Sequence, residues 1–160
     1  TAGLPDGFFG SATITSTANN IAVVVASPRY RPTGAEGVAY EGVVPDAATK
    51  CASLPVPHNR TPWKTGINLL NLGGSAATVT LNYYSSAPGI PNVANQQVTI
   101  PANAPLTVYM PTQSGTQVGF YGAVDVKSTQ NILVNVANSR NDVTSHGVAS
   151  NYIGVNYTCP

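Results

Sequence analysis

Charged side chains are scarce in this chain: they make up 8% of its 160 residues, against about 25% in an ordinary soluble domain. The seven Lys and Arg residues are scattered and the net charge is +1, so we expect neither nucleic-acid binding nor attachment to an anionic membrane. Long apolar runs are also missing, because residues 21–26 (IAVVVA) fall far short of the roughly 20 residues that span a membrane. Apolar residues still reach 42%, which predicts a folded chain with an uncharged surface.

Cysteine is limited to Cys51 and Cys159, which allow one disulfide. Within the chain that bond would close a loop of about 108 residues and stabilise the fold by about 4–5 kcal/mol. Between subunits it would link two copies, and the sequence leaves both pairings open. The sequons at Asn59 and Asn156 are possible glycosylation sites. Together with the disulfide and the low Lys and Glu content, they favour an extracellular or cell-surface location.

The chain begins with TAGLPDG and carries no initiator Met or signal peptide. Such a start is typical of a processed N-terminus or of a fragment boundary.

Groups with the spacing of a catalytic or metal site are scarce as well. Asp142, Ser145 and His146 are the best nucleophile candidates, but sequence neighbours on a strand or turn do not form a triad, which is a spatial arrangement. His58 is predicted to be an exposed loop histidine. Neither zinc-type nor calcium-loop spacing occurs, although a surface calcium held partly by carbonyls stays open. We therefore expect no enzyme activity, no cofactor and no metal.

Alternation of apolar and polar residues dominates the sequence. In residues 77–84 (ATVTLNYY) the apolar side chains, Tyr83 included, fall on one face of a strand. Residues 65–84, with a Gly73-Gly74 turn between two alternating runs, predict a β-hairpin. Proline and glycine separate the other runs, and about ten or eleven short strands result. The pattern predicts an all-β antiparallel sandwich of immunoglobulin-like or related Greek-key type.

An internal repeat organises the chain. GFFGSATITS at residues 7–16 matches GFYGAVDVKS at 119–128, about 112 residues later. The match continues through four further pairs: Ile21 with Ile132, Val23 with Val134, Val25 with Val136, and Tyr40 with Tyr152. One domain is therefore predicted, with module B copy 1 at 1–43, module A at 44–112 and module B copy 2 at 113–160.

The two copies of module B differ in polarity. Residues 21–26 are apolar on both faces, whereas copy 2 has Asn135 in place of Val24. A strand that is apolar on both faces is normally covered on both sides, and three strands do not bury an apolar face alone. We therefore predict that copy 1 is the more buried copy, either central in an enlarged sandwich or covered by another subunit.

Three segments carry a family resemblance. The segments LPDGFFGSATITSTANNIAVVV, WKTGINLLNLGGSAATVTLNYY and VTIPANAPLTVYMP resemble repeats in secreted surface proteins of filamentous, often thermophilic bacteria. The resemblance covers nearly the whole chain. It implies β-sandwich units on a cell surface or in extracellular material, and it implies no catalytic residues.

These observations favour a non-enzymatic structural subunit that assembles with copies of itself into an extracellular filament or surface layer. The expected mechanism is β-strand complementation, in which a segment of one subunit completes the sheet of the next. The predicted interface lies in the N-terminal segment, the strand 21–26 and the tail 156–160, at Thr1, Leu4, Phe8, Ala22, Val24, Ala26 and Tyr157.

Two other functions stay open. One is a glycan-binding or adhesive module, in which aromatic rings stack on sugars; the candidate platform is Trp63, Tyr83, Tyr84, Tyr109 and Tyr157. The other is a viral coat or decoration protein, which the composition also permits.

Overall fold

The computed structural model describes Gly3, Pro5 and residues 12–17, 22–31, 34–113, 116–140 and 149–160. Strands dominate this part of the chain, all their pairings are antiparallel, and helix is limited to short 3-10 turns at Pro45–Ala47 and Met110–Thr112. The all-β antiparallel prediction is confirmed. The ten strands of the described part are β1 (Val24–Arg31), β2 (Gly34–Glu41), β3 (Thr49–Asn59), β4 (Trp63–Asn71), β5 (Ala77–Ser85), β6 (Val93–Ile100), β7 (Pro105–Tyr109), β8 (Phe120–Arg140), β9 (Ala149–Ile153) and β10 (Val155–Tyr157).

Strands β3 to β10 form one sheet that curls into a half-barrel around the long strand β8. The first part of β8 lies between β3 and β5, with Val126 opposite Ala52 and Leu81. Its second part lies between β4 and β9, with Val136 opposite Ile67 and Tyr152. Strands β6, β7 and β10 extend the sheet from β5, β4 and β3. One strand, β8, therefore belongs to both halves of the sheet.

The core fills the inside of the curl. Every second residue of β4, β5 and the second part of β8 is buried there, as period-2 alternation predicts. Tyr83 lies on this inner face, as expected, and its ring meets the edge of the Phe120 ring at a centroid distance of 6.1 Å. The other large buried side chains are Leu54, Ile67, Leu69, Leu81, Ile100, Met110 and Ile132.

The predicted hairpin at 65–84 is wrong in its pairing. Both strands exist, as β4 and β5, but β8 lies between them in the sheet. The connection between β4 and β5 therefore crosses from one side of β8 to the other. It is held in place by the Asn71 side-chain amide, which donates to the carbonyl oxygens of Ser75, Ile100 and Pro101. A Cβ at Gly73 would lie 2.4 Å from the Gln130 side chain. This glycine therefore lets the loop pass close to the bend of β8.

The hydroxyl of Tyr83 is buried without a hydrogen-bond partner among the described residues, and burial raises the pKa of Tyr83. A desolvated polar group without a partner costs free energy. Tyr83→Phe is therefore expected to raise the free energy of unfolding by about 1 kcal/mol. Tyr152→Phe is the matched control, because the Tyr152 hydroxyl donates to the Pro55 carbonyl, and its removal should lower stability by about 1 kcal/mol. Urea unfolding measures the stability of both variants. Equal destabilisation by the two substitutions would contradict the assignment of the Tyr83 hydroxyl as a buried group without a partner.

Candidate subunit interface

The internal repeat is present in the structure as two equivalent hairpins. In copy 1, Val25 of β1 lies opposite Tyr40 of β2; in copy 2, the matching residues Val136 and Tyr152 lie opposite each other in β8 and β9. The glycine that follows each hairpin is also held in the same way. The Gly42 amide donates to the Val23 carbonyl at 2.7 Å, and the Gly154 amide donates to the Val134 carbonyl at 3.0 Å. The two copies therefore share register as well as sequence.

Copy 2 is integrated into the curled sheet on all sides. Strand β8 pairs with β3 and β5 through its first part, and with β4 through residues 132–140. Val134 and Val136 are buried in the core. The backbone of Gly154 packs under Leu54, where an added Cβ would approach the leucine side chain to 2.6 Å. Module A and copy 2 together thus form the curled sheet of β3 to β10.

Copy 1 lacks these neighbours in the part of the chain that the structure describes. Strands β1 and β2 pair with each other as a separate two-stranded sheet, and β2 contacts β9. Residues 12–17 belong to no strand of the described chain. Ile14 is 59% exposed, whereas its repeat equivalent Val126 is 0% exposed, and Val24 is 70% exposed. The prediction that copy 1 is the more buried copy is therefore wrong within the chain, because module A has paired with copy 2.

Six of the seven predicted interface residues lie in copy 1 and fall into two groups. Ala22 and Val24 are exposed, at the entrance to the copy 1 hairpin. Thr1, Leu4, Phe8 and the side chain of Ala26 lie outside the part of the chain that the structure describes. Ile14 was not among the predicted interface residues, although its alignment with Val126 is visible in the sequence: the residue is exposed in copy 1, whereas its equivalent in copy 2 is buried in the core.

Tyr157 and the C-terminal tail have an intrachain role. Tyr157 lies opposite Cys51 in the pairing of β10 with β3, and Cys51 forms a disulfide with Cys159 of the same chain. Of the two pairings that the sequence left open, the intrachain bond is the one observed. The tail, with Tyr157, is therefore tied to the sheet of its own subunit.

The two sequons differ in accessibility. Asn59 is 1% exposed, and its Nδ2, the atom to which a glycan would be attached, donates to the Thr116 carbonyl at 2.9 Å. A glycan at Asn59 does not fit this environment, so that predicted site is wrong for the folded chain. Asn156 is half-buried in β10, and its Nδ2 donates to the Ala47 carbonyl. Glycosylation at Asn156 stays a prediction.

The predicted aromatic platform does not form as one surface. Tyr83 points into the core, while Tyr84 and Tyr109 are exposed on strands of different halves of the curled sheet. Trp63 and Tyr157 are half-buried. These five residues therefore do not define a common sugar-stacking face.

His58 is a buried strand residue rather than an exposed loop residue. It lies near the end of β3, is 8% exposed, and its amide donates to Thr65 Oγ1 at 2.6 Å. Thr65 Oγ1 in turn donates to Asn138 Oδ1. The register of β3 against β8 shifts between Pro55 and His58, and Val56 has a positive φ of 61°. This bulge interrupts the alternation of inward and outward side chains in β3. His58 is therefore buried, although the sequence predicts an exposed loop residue.

Burial lowers the pKa of His58 from its usual 6.5, and the nearby charge of Arg60 lowers it further. As pH falls below about 6.5, the unfolded chain binds a proton at this position before the folded chain does. Stability is therefore expected to be constant well above pH 6.5 and to decline as pH falls through the folded-state pKa. Urea unfolding at several pH values measures the decline. His58→Gln should reduce it, whereas His146→Gln is the control for the other histidine; an unchanged decline in His58→Gln would contradict the prediction.

The described residues contain no group of three or more His, Cys, Asp or Glu side chains that could hold a metal ion. Asp142, Ser145 and His146 lie outside the described residues. Within the described ranges, no helix has the length and apolar character needed to cross a membrane.

No protein-family model and no curated protein matches the sequence. Among solved structures, the chain is similar to Thermotoga maritima 1070, with a TM-score of 0.59 and 12% identity over 67% of this chain and 93% of that one. It is also similar to the Anabaena sensory rhodopsin transducer, with a TM-score of 0.48 and 18% identity over 54% of this chain and 93% of that one. The similarity to the Thermotoga protein shows a shared antiparallel all-β fold.

Proposed function

We propose that this chain is a non-enzymatic structural subunit that assembles outside the cell with copies of itself, through copy 1 of module B. The observation that carries the proposal is the contrast between Ile14 and Val126: one position of the repeat is exposed in copy 1 and fully buried in copy 2. Copy 1 thus has the sequence of a core element without a core of its own. A second copy of the same chain is the occupant that we propose for it.

The mechanism that we propose is β-strand complementation. In copy 2, the strand that carries Val124 and Val126 lies between two neighbouring strands. The equivalent residues 12–16 of copy 1 belong to no strand of the described chain, and Ile14 is exposed. Pairing with a strand of another subunit would give this segment the kind of neighbour that its equivalent has in copy 2. Covering a large aliphatic side chain contributes about 1.5–3 kcal/mol to the free energy of the contact.

A contact of this type joins two different surfaces, so each added subunit presents a free receiving surface to the next one, and addition continues wherever the rotation between subunits does not close a ring. Filaments or extended layers are the assemblies that we propose. The low charge of the chain supports close packing, because adjacent subunits repel each other weakly. In the same proposal, module A and copy 2 are an immunoglobulin-like sandwich unit, and the Cys51–Cys159 disulfide suits an oxidising extracellular environment.

The test is the assembly state of Ile14→Asp and Val24→Asp variants, measured by negative-stain microscopy and light scattering. A charge on either exposed side chain should abolish polymers and leave folded monomers. Val118→Asp is the matched control, because Val118 is 72% exposed on the loop before β8. We expect polymers of the wild type and of the control, and monomers of both copy 1 variants. Polymers of the copy 1 variants, or a monodisperse wild-type monomer, would overturn the proposal, and closed shells would favour the viral coat alternative.

A further inference from the structure

Three of the seven cationic residues meet at one corner of the curled sheet, although they are distant in sequence. Arg60 and Lys64 flank the turn between β3 and β4, where the Arg60 amide donates to the Trp63 carbonyl at 3.0 Å. Arg140, at the end of β8, lies opposite Trp63 in the β4–β8 pairing. The scattered cations of the sequence thus form a local basic corner, which we define as Arg60, Trp63, Lys64, Tyr121 and Arg140.

Aromatic rings support the guanidinium groups of this corner. The Arg60 guanidinium carbon lies 4.7 Å from the centroid of the Tyr121 ring. The Arg140 guanidinium carbon lies 5.9 Å from the centroid of the Trp63 ring. A guanidinium placed over a ring keeps its N–H groups directed outward from its edge. The exposed guanidinium of Arg60 is therefore available to bind a planar oxyanion with two parallel hydrogen bonds.

Two of the three cations have no carboxylate partner among the described residues. Lys64 Nζ donates to the amide oxygen of Asn59 at 3.0 Å, which is a neutral group. Arg60 is exposed, and its guanidinium lies over the Tyr121 ring. These two residues carry the proposed site, and the charge of Arg140 adds to the positive potential without being required.

We propose that the basic corner binds the carboxylate or sulfate groups of an acidic polysaccharide. The guanidinium and ammonium groups would bind the oxyanions, and the half-buried Trp63 offers an apolar surface beside them for the face of a sugar ring. The chain as a whole has a net charge of +1, so binding of a polyanion would come from this corner rather than from the general charge of the protein. The site lies on the curled sheet and not on copy 1, so it does not depend on the proposed assembly.

The test is binding to three polymers: polygalacturonate for carboxylate groups, dextran sulfate for sulfate groups, and neutral dextran as the uncharged control. Affinity electrophoresis and calorimetry should detect binding to at least one charged polymer and none to neutral dextran. Arg60→Gln and Lys64→Gln should each weaken that binding about tenfold. Added salt should weaken it as well.

Lys127→Gln is the matched control. Lys127 is exposed on β8 and lies opposite Cys51, seven residues before His58 along β3, and its replacement removes the same charge at a distant position. Unchanged affinity of Lys127→Gln together with loss in Arg60→Gln would support the site. Equal loss in all variants, equal binding of neutral dextran, or full displacement by inorganic sulfate at low concentration would overturn it. Polymers of Arg60→Gln with normal morphology would show that assembly and polysaccharide binding are separate.

Discussion

Replacement of the disulfide by Cys51→Ala and Cys159→Ser is expected to lower the free energy of unfolding by about 4–5 kcal/mol. The bond joins residues 108 apart in sequence, so it restricts nearly the whole sheet-forming part of the unfolded chain. Alanine is the conservative choice at position 51 because that side chain is fully buried. Denaturant unfolding with and without reductant measures the effect.

Two comparisons separate this effect from local packing. Each single replacement breaks the same bond, so Cys159→Ser, at an exposed position, should cost nearly as much as the double variant. Reductant should destabilise the wild type and leave both variants unchanged. A Cys159→Ser protein as stable as wild type would show that the bond contributes little in this fold.

The two copies of module B allow a second test with a large contrast. Val126→Asp places a carboxylate in the core between β3 and β5, and it is expected to lower the free energy of unfolding by about 4 kcal/mol or more. Ile14→Asp changes the equivalent position of copy 1, where the side chain is exposed. In the monomer that change should stay within about 0.5 kcal/mol of wild type.

Thermal and urea unfolding of dilute protein measure both variants, and a comparison at increasing protein concentration adds the effect of assembly. At low concentration the two substitutions should differ greatly. At high concentration wild type should gain stability relative to Ile14→Asp, because binding that favours the folded state stabilises it by mass action. Similar losses at both positions in dilute protein would mean that copy 1 has a core of its own.

The strands of this fold could be predicted from alternation, because one face of each strand lies against the core. The inward direction of Tyr83 in β5 is a clear case. The pairing of strands could not be predicted in the same way. Alternation shows which face is buried but not which neighbour lies beside it, and β4 and β5 are separated by β8 although a short Gly-rich connection joins them.

The candidate sites were also only partly predictable from the sequence. The repeat was visible in the sequence, and its equivalences identify Ile14 as a core-type residue without a core. The burial of His58 and Asn59 was not visible, because a bulge near Val56 interrupts the period of β3. The contacts of Arg60 with Tyr121 and of Arg140 with Trp63 were not visible either, since they arise when the ends of β3, β4 and β8 come to one corner.

The position of the disulfide also has a mechanical consequence. Cys51 lies near the start of β3, and Cys159 follows β10, the strand that pairs with β3, so the bond links the first and the last strand of the curled sheet in chain order. A pulling force applied between copy 1 and Cys159 would pass through this covalent link and leave the strands between the two cysteines unloaded. Copy 1, which precedes the bridged segment, would extend instead. A subunit built in this way lengthens under tension through copy 1 while its sheet stays folded.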